Sequence, residues 1–208
     1  MAVIATENFD SYSNGAGLSS LNGGSGWTTS WSDPGASGTI TNTQSVSNPN
    51  SVSFNSNSSF FIDRTLPSVP PSGLPFTLSF QIRINSITSG TLKIFTAGGV
   101  RIDFEPSGVI KVFFNNVYNT ISYSWVTNTW FDVIIAGFSD PTSQIQYAVG
   151  NYNSGLQNTG ASIGSLQTFR IYSSVNGMLY FMDSILETDT FDILTPSSKN
   201  AVLAFGGV

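Results

Sequence analysis

The chain has 208 residues, a length that fits one domain with at most a short tail. It contains no cysteine and no histidine, which excludes disulfides, thiolate chemistry and every nucleophile that a histidine base activates. Seven basic and twelve acidic residues give a net charge of −5, and this balance argues against binding nucleic acid through its phosphates.

The polar residues favour strands over helices. They are mostly Ser, Thr, Asn and Gly, whereas helix surfaces are usually built from Lys, Glu, Gln, Arg and Ala. We therefore expect an all-β protein. No run approaches the roughly 18 apolar residues of a membrane span, so we expect no membrane insertion. The start, MAVIATENFD, lacks a basic segment and a long apolar stretch, so we expect no signal peptide.

Residues 1–50 are dense in Gly, Asn, Ser and Pro, a composition typical of loops and tight turns. Strand-like segments then follow one another, and the clearest is 76–86, where apolar and polar residues alternate. Its predicted buried face is Phe76, Leu78, Phe80, Ile82 and Ile84, and the intervening polar residues predict a wet face. The predicted strands are 51–56, 58–66, 76–86, 90–97, 99–105, 109–115, 120–126, 129–138, 144–149, 166–173 and 178–187. Short strands at this spacing indicate a sandwich or a barrel.

The last residues, 191–208, allow two interpretations. They are apolar and rich in small residues, so they could form a last edge strand on the sandwich. They could equally be a docking tail for a neighbouring subunit. We therefore place the sandwich domain at 1–190 and the strand or tail at 191–208.

Three motifs follow one another along the chain, and their order is informative. Near the start, Phe9-Asp10-x-Tyr12 precedes the segment LNGGSGW at 21–27. In the middle, the long strand 76–86 and a meander precede Trp130-Phe131-Asp132-Val133. The closing segment at 179–185 reads LYFMDSI.

Together these motifs resemble the concanavalin A-like lectin/glucanase jelly roll, in particular its laminin-G-like members from bacteria and their phages. The closing segment is similar to the family's final strand, G-x-I-D-D-V, with Ser184 replacing the second acidic residue. The resemblance implies a two-sheet antiparallel jelly-roll sandwich with a glycan-binding or assembly role. It also implies that Trp130 lies in the core and that Trp27 seals one end of the sandwich.

Asp103 and Glu105 are the strongest candidates for catalysis. Residues two apart on a strand share a face, and paired carboxylates can hydrolyse glycosides. Catalytic glucanases of the resembled superfamily carry a longer E-x-D-x-x-E strand, however, and here Pro106 follows Glu105 directly. We therefore expect two solvated carboxylates and no enzymatic activity.

Calcium is the one cofactor that the resemblance allows. The first and last strands of a sandwich often pair, and pairing would bring Glu7 or Asp10 near Asp183. Calcium needs about six oxygen ligands, and Ser184 removes one carboxylate from the family pattern. The alternative is that these three residues are ordinary hydrogen-bonded carboxylates.

Aromatic and amide side chains in polar loops could bind sugars, because sugar rings stack on exposed aromatic faces. Tyr118 lies in the loop NNVYNT beside Asn116, and Tyr152 lies beside Asn153 in GNYNSG. Trp125 precedes the turn VTNT. These five residues are the predicted carbohydrate-binding residues, and packing into the core is the alternative for each aromatic ring.

Two functions from different classes fit the sequence. The first is a non-enzymatic structural protein of a phage-like virion: a capsid decoration (cement) protein, a head fibre or a tail component. Such a protein could also attach the particle to surface glycans. Its partners would be other virion proteins or its own copies in a homo-oligomer. The second is a carbohydrate-binding lectin module of an extracellular secreted or surface protein. Fold alone does not decide between them.

Overall fold

The computed structural model describes residues 2–56, 59–66, 74–95, 100–114, 116–138, 144–158, 168–173 and 177–191. None of these residues forms a helix, and so this part of the chain holds no helix that could cross a membrane. The strands of the described residues are β1 (Val3–Glu7), β2 (Gly38–Thr41), β3 (Ser51–Ser56), β4 (Phe60–Thr65), β5 (Pro75–Ile87), β6 (Leu92–Phe95), β7 (Arg101–Phe104), β8 (Val109–Phe114), β9 (Val117–Ser124), β10 (Trp130–Phe138), β11 (Gln144–Val149), β12 (Tyr152–Asn153), β13 (Gln157–Asn158), β14 (Thr168–Ser173) and β15 (Met178–Thr188).

The strands form two sheets. Among the described residues the larger sheet has nine strands in the order β12-β11-β10-β5-β15-β3-β2, with β1 on β15 and β13 on β11. The smaller sheet has six strands in the order β4-β14-β6-β7-β8-β9. Every pairing in both sheets is antiparallel. The predicted all-β class and the two-sheet antiparallel jelly-roll sandwich are confirmed.

Side-chain alternation places the core between the sheets. The five apolar residues predicted on one face of 76–86 are all fully buried in β5. Its other face is wet only in part, since Thr77 and Ser79 are 7% and 3% exposed. Thr77 Oγ1 donates to the carbonyl of Thr190 at 2.5 Å, so the residues that follow β15 cover this part of the larger sheet.

Most predicted strand limits agree closely with the observed ones. Segments 51–56 and 144–149 are confirmed to the residue, whereas 120–126 is shifted and runs as Val117–Ser124. β1 agrees with the first strand that the resemblance implied near Glu7, whereas the short strands β2, β12 and β13 were not predicted, because they lie in segments rich in turn-forming residues.

The glycine-rich segment at 21–27 packs directly on β1. The backbones of Thr6 and Ser25 exchange hydrogen bonds of 2.9 and 3.0 Å. Gly26 has φ +79°, and a Cβ there would lie 1.8 Å from the carbonyl oxygen of Ile4. Only glycine fits such an approach. Trp27 follows, partly buried, and donates its indole N–H to the carbonyl of Thr6 at 2.9 Å.

A buried ion pair joins the two sheets. Arg64 of β4 donates Nη1 to Glu7 Oε2 of β1 at 2.5 Å, and neither side chain is more than 1% exposed. The guanidinium carbon lies 4.8 Å from the ring centroid of Trp27 and 5.4 Å from that of Trp31. Tyr12 donates its hydroxyl to Glu7 at 2.9 Å, and burial together with the Glu7 charge raises the pKa of Tyr12 to about 12. The motif residues of the first segment thus build one packed cluster around a charge pair.

The structure corrects the expectation for Trp130 and leaves the one for the last residues as a prediction. Trp130 is only partly buried, because it pairs with Arg83 on the outer side of the larger sheet, while the neighbouring Phe131 is 5% exposed and lies in the core. The predicted core position of Trp130 is therefore wrong by one residue. Residues 192–208, which make up most of the predicted strand or tail, lie outside the described residues, and both interpretations of them stay predictions.

Candidate functional site

The three predicted calcium ligands do not form one site. The carboxylate of Glu7 is bound by Arg64 and also accepts the backbone N–H of Phe9 at 2.9 Å. Asp10 accepts the Asn50 N–H at 2.9 Å and the Asn8 side-chain amide at 2.7 Å. No group of three or more acidic residues that could hold a metal occurs in the part of the chain that the structure describes.

Asp183 organises a loop. It accepts the backbone N–H groups of Val46 and Ser47 at 2.8 and 2.9 Å, and the Ser47 hydroxyl at 2.7 Å. Burial raises its pKa, and these hydrogen bonds, which favour the charged form, act against that shift. The first and last strands pair as expected, with Glu7 of β1 opposite Ile185 of β15. Ser47 also donates its hydroxyl to Asp10 at 3.4 Å. The contacts hold the loop 46–50 in place and leave the carboxylate oxygens engaged by donors, which does not fit a calcium site.

The predicted carbohydrate-binding residues occupy different places. Trp125 is 7% exposed and donates its indole N–H to the carbonyl of Glu105 at 3.0 Å, so it offers no free face and that part of the prediction is corrected. Tyr152 is partly buried and stacks on Tyr147, with 6.2 Å between ring centroids. Asn153 is exposed, but its Oδ1 accepts hydrogen bonds from Gln146 and from the Gly155 N–H, which fixes the turn after β12.

Tyr118 is the predicted residue that presents an open aromatic surface. It lies on β9 and is 52% exposed. Its ring packs against Phe113 with 4.8 Å between centroids, and its hydroxyl accepts a hydrogen bond from Arg101. Asn116 stands in the preceding turn with φ 59° and is exposed. Tyr118 thus faces outward from the smaller sheet.

Cross-strand register shows what else lies beside Tyr118. Residues directly opposite each other on neighbouring strands share a face. Two rows of side chains therefore cross the outer side of the smaller sheet: Phe61, Tyr172, Lys93, Asp103, Lys111 and Thr120 in one, and Asp63, Arg170, Arg101, Phe113 and Tyr118 in the other. We call these two rows the outer face. Five strand spacings of about 4.8 Å make it about 24 Å wide.

The outer face concentrates aromatic rings and positive charge. It carries four of the chain's seven basic residues, on a protein whose net charge is −5. Phe61 and Tyr118, at 46% and 52%, are the only strongly exposed aromatic side chains among the described residues, and both lie on this face. Since large aromatic rings are seldom left open to water without a role, this concentration marks the candidate functional site.

Most cations of the outer face are already paired. Arg170 binds Asp63 through two hydrogen bonds of 2.6 and 2.7 Å. Arg101 binds Asp103 in the same way at 2.6 and 3.1 Å. Lys111 binds Glu105 at 2.6 Å. The two carboxylates considered for glycoside hydrolysis, Asp103 and Glu105, are therefore both held in ion pairs.

One end of the outer face forms a groove. Phe61, Lys93, Arg170 and Tyr172 line a space of about 340 Å³, within the range of about 300–1,000 Å³ typical of ligand clefts. The Lys93 ammonium lies 5.7 Å from the ring centroid of Tyr172, and the Arg170 guanidinium lies 5.9 Å from that of Phe61. The sequence predicted the strands that carry these residues but not the groove, because β4, β14 and β6 become neighbours only in the folded chain.

Comparisons with known proteins find likeness at the level of fold. No family model matches the chain, and no curated protein sequence matches it. Among solved structures, it is similar to the binding domain of botulinum neurotoxin DC in complex with SialylT, at a TM-score of 0.63 and 11% identity. It is also similar to the endo-β-1,4-glucuronan lyase of the fungus Trichoderma reesei, at 0.60 and 13%, and to a sialidase, at 0.55 and 12%.

The three matches cover different shares of the proteins. The chain aligns over 97% of its own length with 51% of the neurotoxin domain, over 89% with 98% of the lyase, and over 77% with 17% of the sialidase. It thus spans about half of the neurotoxin domain and a small part of the sialidase. At these identities the likeness establishes the sandwich fold, in agreement with the predicted lectin-like jelly roll, and nothing about activity.

Proposed function

We propose that the chain is a non-enzymatic carbohydrate-binding domain that takes glycans on the outer face of its smaller sheet. The observation that carries the proposal is the pair of open aromatic rings, Phe61 on β4 and Tyr118 on β9, at opposite corners of the outer face with paired charges between them. Sugar rings have apolar faces that stack on aromatic rings and polar edges that need hydrogen-bond partners.

The charged groups between the two aromatic rings can form hydrogen bonds with the polar edges of a sugar. Bidentate pairs hold the donors of Arg101 and Arg170 in fixed positions, and the Arg170–Asp63 pair, whose side chains are 49% and 18% exposed, also offers an acceptor. A sugar hydroxyl can donate to the carboxylate of such a pair and accept from its guanidinium. Because each pair is already ordered, binding costs little side-chain entropy.

The same ion pairs favour binding over catalysis. A glycosidase acid must be free to deliver a proton, and its partner carboxylate must reach the sugar carbon or a water. Asp103 is 4% exposed and fixed by Arg101, so it meets neither requirement. The solved structures that resemble the chain include both enzymes and a binding domain whose names refer to carbohydrates, which supports glycans as the ligand class.

A glycan array with purified protein tests the proposal. We expect the wild type to bind, and Phe61→Ser or Tyr118→Ser to weaken binding by about tenfold, since aromatic stacking contributes about 0.5–1.5 kcal/mol beyond the area buried. Val117→Ser is the matched control: Val117 is 54% exposed, but it points to the other side of β9 from Tyr118. Equal binding by all four proteins would refute the assignment to this face.

We further propose that the domain works as a component of a phage-like particle, in capsid decoration, a head fibre or a tail. What supports this is the composition of the sequence, with few charges, an amide- and hydroxyl-rich surface and an apolar 191–208 segment. Mass spectrometry of purified particles tests it: a fixed ratio to the major capsid protein is expected. Absence from particles and presence in the medium would favour the alternative, a lectin module of a secreted or surface protein.

A further inference from the structure

The groove at one end of the outer face holds a positive charge that no carboxylate of the described residues neutralises. Among the described residues, Lys93 makes no ion pair, while the other three cations of the outer face each bind a carboxylate. The nearest carboxylate in register is Asp103 on β7, and both of its oxygens accept hydrogen bonds from Arg101. The Lys93 ammonium is therefore available to a ligand.

The geometry of the groove places the Lys93 ammonium beside aromatic rings, so an anion that binds there would lie next to them. Phe61, Tyr172 and Lys93 stand side by side on β4, β14 and β6. Phe61 is 46% exposed and offers a ring face, and Lys93 stands two strand spacings away, about 10 Å, across Tyr172. A sugar ring that rests against Phe61 and Tyr172 would direct one side toward the ammonium.

The charge of the rest of the protein bears on whether the groove favours an anionic or a neutral sugar. With a net charge of −5, the molecule as a whole repels anions. Three of the four cations of the outer face are paired with carboxylates, so the ammonium of Lys93 is the charge that offers an anion a favourable field, and the walls of the groove strengthen that field. A neutral sugar would gain only the aromatic contacts, and it would leave the ammonium without a partner once water is displaced.

We infer that the groove lined by Phe61, Lys93, Arg170 and Tyr172 is a subsite for a sugar acid, a sialic or uronic acid residue whose carboxylate pairs with Lys93. This inference rests on the proposed carbohydrate binding and names the class of sugar that the site selects. Phe61 and Tyr172 supply the stacking surface, and Arg170, held by Asp63, closes the groove beside Phe61.

The test compares acidic and neutral sugars of the same skeleton. Affinities of the full chain are measured by NMR titration for methyl glucuronide against methyl glucoside and for sialyllactose against lactose. We expect at least one acidic sugar to bind about fivefold more tightly than its neutral partner, the effect of about 1 kcal/mol from a partly exposed ion pair. Raising the salt from about 0.1 M to 1 M, which shortens the screening length from about 10 Å to 3 Å, should reduce this preference.

Two variants identify the group responsible. Lys93→Gln should abolish the preference for the acid and leave the affinity for the neutral sugar unchanged. Lys111→Gln is the matched control, because Lys111 lies on the same face but is bound to Glu105, and it should keep most of the preference. Thermal unfolding of each variant confirms that it is folded.

The possible results separate the two proposals. Equal affinity for acidic and neutral sugars would overturn the sugar-acid subsite and leave carbohydrate binding standing. A Lys93→Gln variant that weakens both sugars equally would also overturn it, because the lysine would then act by packing. No binding of any sugar, on the array or in the titrations, would overturn both proposals.

Discussion

Glu187 on β15 gives a sharp prediction about stability. Its side chain is fully buried opposite Ala5 and Leu78, and neither carboxylate oxygen has a hydrogen-bond partner among the described residues. Burial raises its pKa from 4.5 to about 8. The folded protein therefore keeps a proton that the unfolded chain releases, so stability falls as the pH rises from about 4.5 to about 8. One pKa unit corresponds to about 1.4 kcal/mol, which makes the loss between pH 5 and pH 8 about 3 kcal/mol.

Glu187→Gln removes the titrating group while keeping the shape of the protonated side chain. We expect the variant to be as stable as the wild type near pH 4 and more stable by about 4 kcal/mol at pH 8. Urea unfolding of both proteins across this range, followed by tryptophan fluorescence, measures the difference. Parallel pH profiles would refute the reasoning, since they would mean that the Glu187 carboxylate reaches water or a partner in the folded protein.

Three further changes test the packing by urea unfolding. Arg64→Met should cost about 3–5 kcal/mol because it leaves the Glu7 charge buried without its partner, and a cost below about 1 kcal/mol would contradict the buried pair. Gly26→Ala should destabilise the protein because the new Cβ clashes with the Ile4 carbonyl. The cost should be well above that of Gly155→Ala, where φ is +63° but nothing lies within 4 Å of the new Cβ. Equal costs for the two variants would refute the close approach at Gly26. Trp125→Ala should cost about 3–5 kcal/mol as a core substitution, whereas Tyr118→Ala should change stability little, and the reverse order would be inconsistent with their burial.

Periodicity explains why much of the fold was predictable. In β5 a strict alternation over Phe76–Ile84 encodes which side faces the core, because successive side chains of a strand point to opposite faces. The alternation fails in β15 for a physical reason. Ser184 adopts φ 53° and the register with β5 shifts between Asp183 and Leu186. This bulge turns Glu187 inward, where alternation from Met182 would have placed Leu186.

The candidate site was predictable only in part. Tyr118 could be singled out because its sequence neighbours are polar, although the structure places it on strand β9, on the outer face, and not in a loop. The groove depends on pairing between residues far apart in sequence: Asp63 and Arg170 are separated by 107 positions. Nothing local in either strand specifies that neighbour. Trp125 was wrongly predicted to be open to sugars for a related reason. Its burial follows from the chain folding back, so that its backbone N–H reaches the carbonyl of Gly108.

The central claim is that glycans bind on the outer face of the smaller sheet. The most direct test is a two-dimensional NMR titration of the labelled protein with the strongest-binding glycan from the array. The account predicts that the backbone signals that shift lie together on β4, β14 and β6, beginning with those of Phe61, Lys93 and Tyr172. Shifts confined to the turn around Tyr152 and Asn153, or to the loop at 46–50, would contradict it and place the binding site elsewhere on the sandwich.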